Sequence, residues 1–259
     1  MTNMHYRYCA TKIRIRRSTA FALMAPSVFA LLLNSEVRAG SVDYADPAVV
    51  SAETAVKELS VHVTEASNPA ALHTAFLGYY RYRAAHPERV RNPYLYYVDL
   101  GLDNQTPRGY VFEMSGLKLV EGPFTVAHGR GSSANMNGVP DVFSNVSGSN
   151  ASSLGLYLAG SLYSFSGKSG GRSYTSTGLR LTGESGKFND AAYARRIVAH
   201  GAPYVTSRGA GRSEGCPAME PARAARLLPK LANGGVVFLY SPNDARWRRE
   251  DPWVSKGKD

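Results

Sequence analysis

The chain has 259 residues, 44% of them hydrophobic and 19% charged, with 16 tyrosines and a formal net charge of +10. That is enough apolar material for one globular core with a small helical appendage, and it excludes wholesale disorder. The charge does not argue for nucleic acid: the first 39 residues hold six Lys/Arg against one Glu, and no basic helix or aromatic platform follows them.

In chain order, the first element reads as a targeting segment. Arg7, Lys12, Arg14, Arg16 and Arg17 make a basic start, an apolar run from Ala20 to Leu33 follows, and Val37-Arg38-Ala39-Gly40 ends it. That order predicts a secretory signal peptide over 1–39, cut after Ala39. The run is short and interrupted by Pro26, so no stable membrane span is expected after cleavage, with an uncleaved anchor as the alternative. Cleavage leaves 24 basic and 19 acidic residues, a mild excess suited to an anionic wall polymer. The expected location is outside the cytoplasm, in the periplasm or cell envelope.

Residues 40–92 read as an N-terminal helical lead-in. A weak helix spans Val49 to Leu59, and a better one runs from Ala70 to Ala85, where Leu72, Ala75, Phe76, Tyr79 and Tyr80 recur at helical spacing before Pro87. From residue 93 the pattern is strand-like: Tyr94–Leu100, Gly109–Glu113, Pro123–Ala127, Leu154–Leu162, Gly178–Thr182 and Val236–Tyr240. Arg196–Ala199 forms a further strand running into His200-Gly201. Polar stretches over 129–153 and 164–177 read as loops, the places where rigid strands can hold functional groups. A helix is predicted from Pro221 to Leu231, stopped by Asn233-Gly234-Gly235. Residues 242–259 form a charged tail with Trp247 and Trp253. The pattern predicts a mainly β fold with peripheral helices (α+β), a sandwich or open barrel, over 93–241.

Of the two cysteines, Cys9 falls in the targeting segment, which leaves Cys216 as a lone thiol in an oxidising compartment. Its neighbours Gly211-Arg212-Ser213-Glu214-Gly215-Cys216-Pro217-Ala218 decide between a reactive thiol and a buried structural one. Pro217 suits the first residue of a helical turn, which predicts Cys216 at a helix N-cap with a lowered pKa. Gly215 permits a tight backbone, and N–H groups near Cys216 can face a developing oxyanion. An amide-cleaving thiol needs a proton carrier, and His is the natural one near neutral pH. His62, His73 and His86 lie in the lead-in, where surface or packing roles are expected. His200 ends an apolar strand sixteen residues before Cys216, and His128 ends another. One Cys and scattered His match no metal-ligand spacing, and redox exchange lacks a second Cys.

Ile197-Val198-Ala199-His200-Gly201 followed by Gly211-Arg212-Ser213-Glu214-Gly215-Cys216-Pro217 resembles the signature of the L,D-transpeptidase (YkuD-type) catalytic domain. It resembles more closely the branch known as the murein L,D-transpeptidase catalytic domain family. Val126-Ala127-His128-Gly129, Phe143-Ser144-Asn145, Ser152-Ser153-Leu154-Gly155, Gly178-Leu179-Arg180-Leu181 and Asn189-Asp190 ahead of Arg196 keep that branch's order, so the resemblance covers roughly residues 70–241. It implies an L,D-transpeptidase-like β-sandwich, no cofactor, and peptidoglycan stem peptides as donor and acceptor. It also implies Cys216 as nucleophile, His200 in proton transfer, and Gly215 and Ser213 as supporting backbone. The implied reaction forms a thioester on Cys216, releases D-Ala and makes a 3→3 cross-link. Arg212, beside the thiol, reads as an anchor for a stem-peptide carboxylate or as a solvated charge, with His128, Gly201 and Glu214 as further substrate-side candidates. One departure stands out: Glu214 occupies the place where the broader family usually has a second His, whose contribution is then absent or supplied by another group such as His128. A hydrolase forming the same thioester (an L,D-carboxypeptidase or endopeptidase) and a non-catalytic wall-binding module are the rival readings.

Overall fold

The computed structural model describes residues 46–133 and 138–255, so the signal peptide expected over 1–39 lies outside the described residues. Asp46 starts α1 (Pro47–Leu59): its side chain accepts the Ala48 N–H at 2.9 Å, and Pro47 supplies a fixed φ at the first helical position. Ala48, Ala52, Ala55 and Leu59 fall on one buried face of α1, which packs on α2 (Ala71–Ala85). The face expected for α2 is present with one change, because Tyr82 is fully buried while Tyr80 is only half-buried. Gly78 lets α2 approach the sheet closely; a Cβ there would come within 2.8 Å of the Phe238 ring.

Eight strands form one mixed sheet in the order β11-β7-β6-β5-β12-β1-β2-β3. At its centre, β12 (Val236–Tyr240) runs parallel to β1 (Tyr94–Asp99) and antiparallel to β5 (Gly155–Ser169). All five β12 residues are buried, as expected of a strand covered on both faces. Beyond β1 lie β2 (Gly109–Glu113) and β3 (Lys118–Phe124). The strand expected over Pro123–Ala127 therefore starts and ends earlier. The Glu113 carboxylate accepts the N–H groups of Ser115 and Gly116 at 2.9 and 3.0 Å, folding the chain back directly after β2.

The larger correction concerns the loop expected over 164–177. It is the outer part of a long hairpin, β5 with β6 (Arg172–Gly183), paired from Tyr163↔Gly178 out to Ser169↔Arg172. Gly170-Gly171 closes it with φ of +54° and +76°, the double positive φ that a two-residue hairpin turn requires. The arms resemble a loop in sequence because Ser, Thr and Gly occupy most positions, with Phe165 and Tyr174 as isolated ring-bearing residues.

On the other side of the hairpin, β7 (Val198–Gly201) and β11 (Ala218–Met219) finish the sheet. The sheet stays open, with β11 and β3 at its edges. Two small pairs flank it: β4 (His128–Gly129) with β10 (Arg212–Ser213), and β8 (Val205–Thr206) with β9 (Gly209–Ala210). Helix α3 (Pro221–Leu231) has its predicted bounds and packs Ala224, Leu227, Leu228 and Leu231 under β6 and β7. In the tail, Asp244 caps α4 (Ala245–Glu250), and the buried Trp247 donates its indole N–H to Asp251 at 2.9 Å. One apolar cluster joins α1, α2, the sheet, α3 and Trp247, so lead-in and tail share the core with the strands. The fold is thus mainly β with peripheral helices. No helix among the described residues is long and apolar enough to cross a membrane.

Leu228 sits fully buried between α3 and the strand that carries His200. Leu228→Ala is expected to lower the unfolding free energy by about 2–5 kcal/mol in urea titrations, the usual cost of such a cavity. Leu162→Ala, at a side chain 38% exposed, serves as the comparison and should cost far less.

Candidate active site

His200 and Cys216 meet through sheet pairing. In β7, His200 stands opposite Gly178 of β6 on one side and Ala218 of β11 on the other. Cys216-Pro217 is the link from β10 into β11, so the thiol lies two residues ahead of the histidine's own pairing partner. This corrects the expectation of a helix N-cap at Cys216. Pro217 leads into an extended segment, because Ala218 and Met219 find a strand partner in β7 and Ala218 also bridges Ala127. The residues before Pro217 and Pro221 are biased towards extended backbone, and α3 begins only at Pro221.

The two side chains line one cleft of about 740 Å³. Cys216 is 9% exposed, and its thiol points at the Arg196 carbonyl, Sγ to O 4.0 Å. Burial pushes the thiol up to about 11, against the pull of the Val198 N–H that faces the sulfur. The lowered pKa expected from a helix dipole is therefore absent: the resting group is a thiol. His200 is 2% exposed, and its ring stacks on Phe165 with centroids 3.9 Å apart and planes at 14°. Its Nδ1 lies 3.0 Å from the Gly201 carbonyl, which can only accept, so Nδ1 carries the proton and Nε2 is left as the acceptor. Burial holds the imidazole down at about 4, opposed by that same bond. Near neutral pH the cleft holds a thiol and a neutral imidazole.

The backbone before the thiol is fixed from both sides. Gly215 has φ +119°, and a Cβ there would lie 2.8 Å from the Ala151 carbonyl, so this position takes only glycine. Ser213 Oγ donates to the Cys216 carbonyl at 2.7 Å and accepts the Gly215 N–H at 3.2 Å. Ser152, itself buried, accepts the Gly129 N–H at 3.0 Å and donates to the Gly215 carbonyl at 3.0 Å. A trans peptide carries its C=O and N–H on opposite sides. Anchoring the Gly215 carbonyl on Ser152 therefore turns the Cys216 N–H away from Ser152.

The remaining candidates separate. Arg212 and Glu214 line the cleft with Ser213, and Glu214 makes an exposed 3.4 Å ion pair with Arg130 at its rim. Gly201 backs the site: its carbonyl holds His200, while α3 packs on it through Pro221 and Ala224. His128 is fully buried and is not part of the cleft lining. Its Nδ1 accepts from Arg108 Nη2 at 2.7 Å, and its Nε2 faces Ser133 Oγ at 2.8 Å. Burial first, then the nearby charges of Arg108 and Arg212, hold it at about 2, so it stays neutral. Its strand pairs Arg212↔His128 and Ser213↔Gly129, so it braces the thiol loop from behind.

Sequence reasoning missed three contributors. Ser152 had no signal beyond its place in a motif, and Phe165 was hidden in the misread hairpin. Arg195 clamps the loop that carries Ser152, reaching the carbonyls of Ser144 and Ala151 at 2.7 Å each. Among the described residues no group of three His, Cys, Asp or Glu side chains is placed to hold a metal ion.

Residues 64–240 match the family model described as the L,D-transpeptidase catalytic domain. Among solved structures, the chain is similar to an L,D-transpeptidase from Mycobacterium smegmatis at 16% identity and a TM-score of 0.35, covering 57% of this chain and 59% of that one. It is also similar to an L,D-transpeptidase from Stackebrandtia nassauensis at 14% identity and a TM-score of 0.36, covering 76% and 80%. The chain thus spans under two thirds of the Mycobacterium smegmatis protein's length. No curated protein matches it. With the family match extending over most of the described residues and including Ser152, His200 and Cys216, the chain belongs to the L,D-transpeptidase catalytic domain family.

Proposed function

We propose that the chain is a cysteine acyltransferase of peptidoglycan stem peptides, exported by the segment 1–39 to the cell envelope. The observation that carries this reading is the shared cleft of Cys216 and His200, with His200 Nε2 left as an acceptor by the bond from Nδ1 to Gly201. In the first step Sγ attacks the carbonyl carbon of the third stem residue while its proton passes to Nε2. The bond to D-Ala breaks, and the imidazolium returns that proton to the departing amine, leaving a thioester. In the second step an amine of another stem peptide attacks the thioester carbon. The C–N bond forms, the C–S bond breaks, and the amine's proton reaches the sulfur through Nε2. The Cys216 N–H, turned by the Ser152–Gly215 bond, is the donor proposed for the oxyanion in both steps. Arg212 is proposed to hold a donor carboxylate at the cleft wall.

With purified protein and tetrapeptide muropeptides, the expected products are D-Ala and cross-linked dimers. Cys216→Ala abolishes both, His200→Ala nearly does, and a carbapenem adds its mass to the parent protein but not to Cys216→Ala. Tripeptide without dimers makes the protein a hydrolase, and an inert, unlabelled Cys216 in folded protein makes it a binding module.

The pH dependence follows from the direction of the His200 shift. An imidazole held at about 4 stays unprotonated, and so available as a base, down to that pH. Carbapenem acylation is expected to hold its rate through pH 6.5 and to fall as the pH approaches 4; a fall centred on 6.5 contradicts the buried neutral imidazole. Ser152→Ala is expected to lower kcat by about tenfold to a hundredfold with little change in the donor's KM, the signature of an interaction made in the transition state.

A further inference from the structure

A second cleft, of about 550 Å³, adjoins the one that holds the thiol. Tyr163, Arg180, Tyr193 and Arg196 line it, and Arg196 also lines the first cleft. Strand register sets its position. Tyr163 pairs with Gly178, Gly178 with His200, and Arg180 with Val198, so Tyr163, Arg180 and His200 share one face of the sheet. Arg180 is the diagonal neighbour of His200, a separation of about 7–8 Å in such a ladder. Tyr163 and Phe165 follow at i and i+2, with ring centroids 6.3 Å apart, so an aromatic stripe runs from the second cleft to the ring stacked on His200.

Two features mark this cleft as built for an anion. Arg180 lays its guanidinium over the Tyr163 ring at 4.6 Å, and neither Arg180 nor Arg196 forms an ion pair among the described residues. Arg196 also adopts φ +59°, at the end of a turn where Gly or Asn is the unstrained choice. An arginine kept in that conformation points to a use for its side chain. Its carbonyl is the group that faces the Cys216 thiol, so the strained residue sits between the sulfur and the second cleft.

We propose that this cleft is the acceptor site, and that Arg180 and Arg196 select an amine borne on a carbon that also carries a carboxylate. The inference rests on the acyl transfer proposed above and adds the acceptor's chemistry to it. The guanidinium pair grips the carboxylate, which leaves the neighbouring amine on the His200 side of the cleft. The neutral amine attacks the thioester carbon, its proton passes to Nε2 and then to sulfur, and an amide and a free thiol result. A diamino acid side chain ending in a carboxylate-bearing centre fits; a lysine-type amine, which lacks that carboxylate, leaves the arginines unpaired.

The test uses the tetrapeptide as donor, with D-methionine and D-methioninamide as acceptors that differ only in the carboxylate. Release of D-Ala is first recorded without acceptor, as a separate readout of Cys216 acylation. The parent protein is expected to prefer D-methionine by about tenfold in kcat/KM, the scale of one charge-assisted pair. In Arg180→Gln/Arg196→Gln that ratio falls towards one through a higher KM for D-methionine. Arg196→Gly, which suits the positive φ, should keep the melting temperature while losing preference in the same direction. Equal use of the two acceptors by the parent protein, or a preference that survives in the double variant, overturns the acceptor site while the acyl-transfer reading stands. No D-Ala release at all sinks that reading, and the site with it.

Discussion

Two rungs of ladder between β7 and β11 set everything that happens at the cleft. Ala218 opposite His200 and Met219 opposite Gly201 decide which way the imidazole faces and where the thiol stops short of it. Strand side chains alternate, so a slip of one residue would send His200 under α3 and bring Ala199 or Gly201 to the cleft face. The slip is resisted by bulk beneath the sheet. Gly201 lies against Pro221 and Ala224, with no room for a side chain, and Ala199 belongs to the buried cluster. The apolar side of the strand thereby enforces the position of the polar side.

Burial then sets the chemical state of the pair. A thiol at about 11 and an imidazole at about 4 are both shifted against charge, so the resting site is neutral. Charge has to develop during reaction, on imidazole and substrate oxygen together, inside a cleft where fixed dipoles count for more than they would in water. Such a site favours preorganised donors over a pre-ionised nucleophile. The double use of Ser152, accepting from Gly129 and donating to Gly215, supplies that preorganisation: it ties the peptide before the thiol to a strand whose own position is held by His128 and Arg108. A polar network of this depth is stable only when its members are satisfied, and here the guanidinium meets the carbonyls of Val126 and Leu102 as well as the imidazole.

How much of this the sequence disclosed varied with how local the cause was. The bounds of β2, α3 and β12 follow from short-range signals: β-prone runs, Pro221 at a helix start, and Asn233-Gly234 at a positive-φ turn. His200 and Cys216 were legible as a pair because a strand end, a spacing and a glycine-cysteine step sit close together in the chain. The geometry around them was not. Whether Pro217 opens a helix or a strand depends on a partner strand sixteen or more residues away, and local propensity carries no trace of it. The hairpin was missed for a related reason: half of each arm faces solvent, so its alternation is written in Ser and Thr with only a few rings. His128 was readable as a histidine of consequence, yet its role depends on Arg108, which looks in sequence like any other surface charge.

The hairpin is also where the balance between transfer and hydrolysis is decided. Its base is anchored, since β5 and β6 run into the core sheet at Tyr157↔Gly183 and Leu158↔Thr182. Its tip is bare, because Gly170 and Gly171 have no atom within 4 Å of the place where a side chain would begin. Between the two, Phe165 covers the His200 ring and Tyr163 carries Arg180 into the second cleft, so water meets rings and guanidinium groups wherever it approaches the sulfur under the hairpin. An acceptor that pairs with those arginines displaces this water and brings its own amine, whereas a cleft without acceptor leaves water as the remaining nucleophile. On this geometry, the choice between joining two peptides and trimming one lies with the contents of the second cleft, and the Cys216–His200 pair serves both outcomes unchanged.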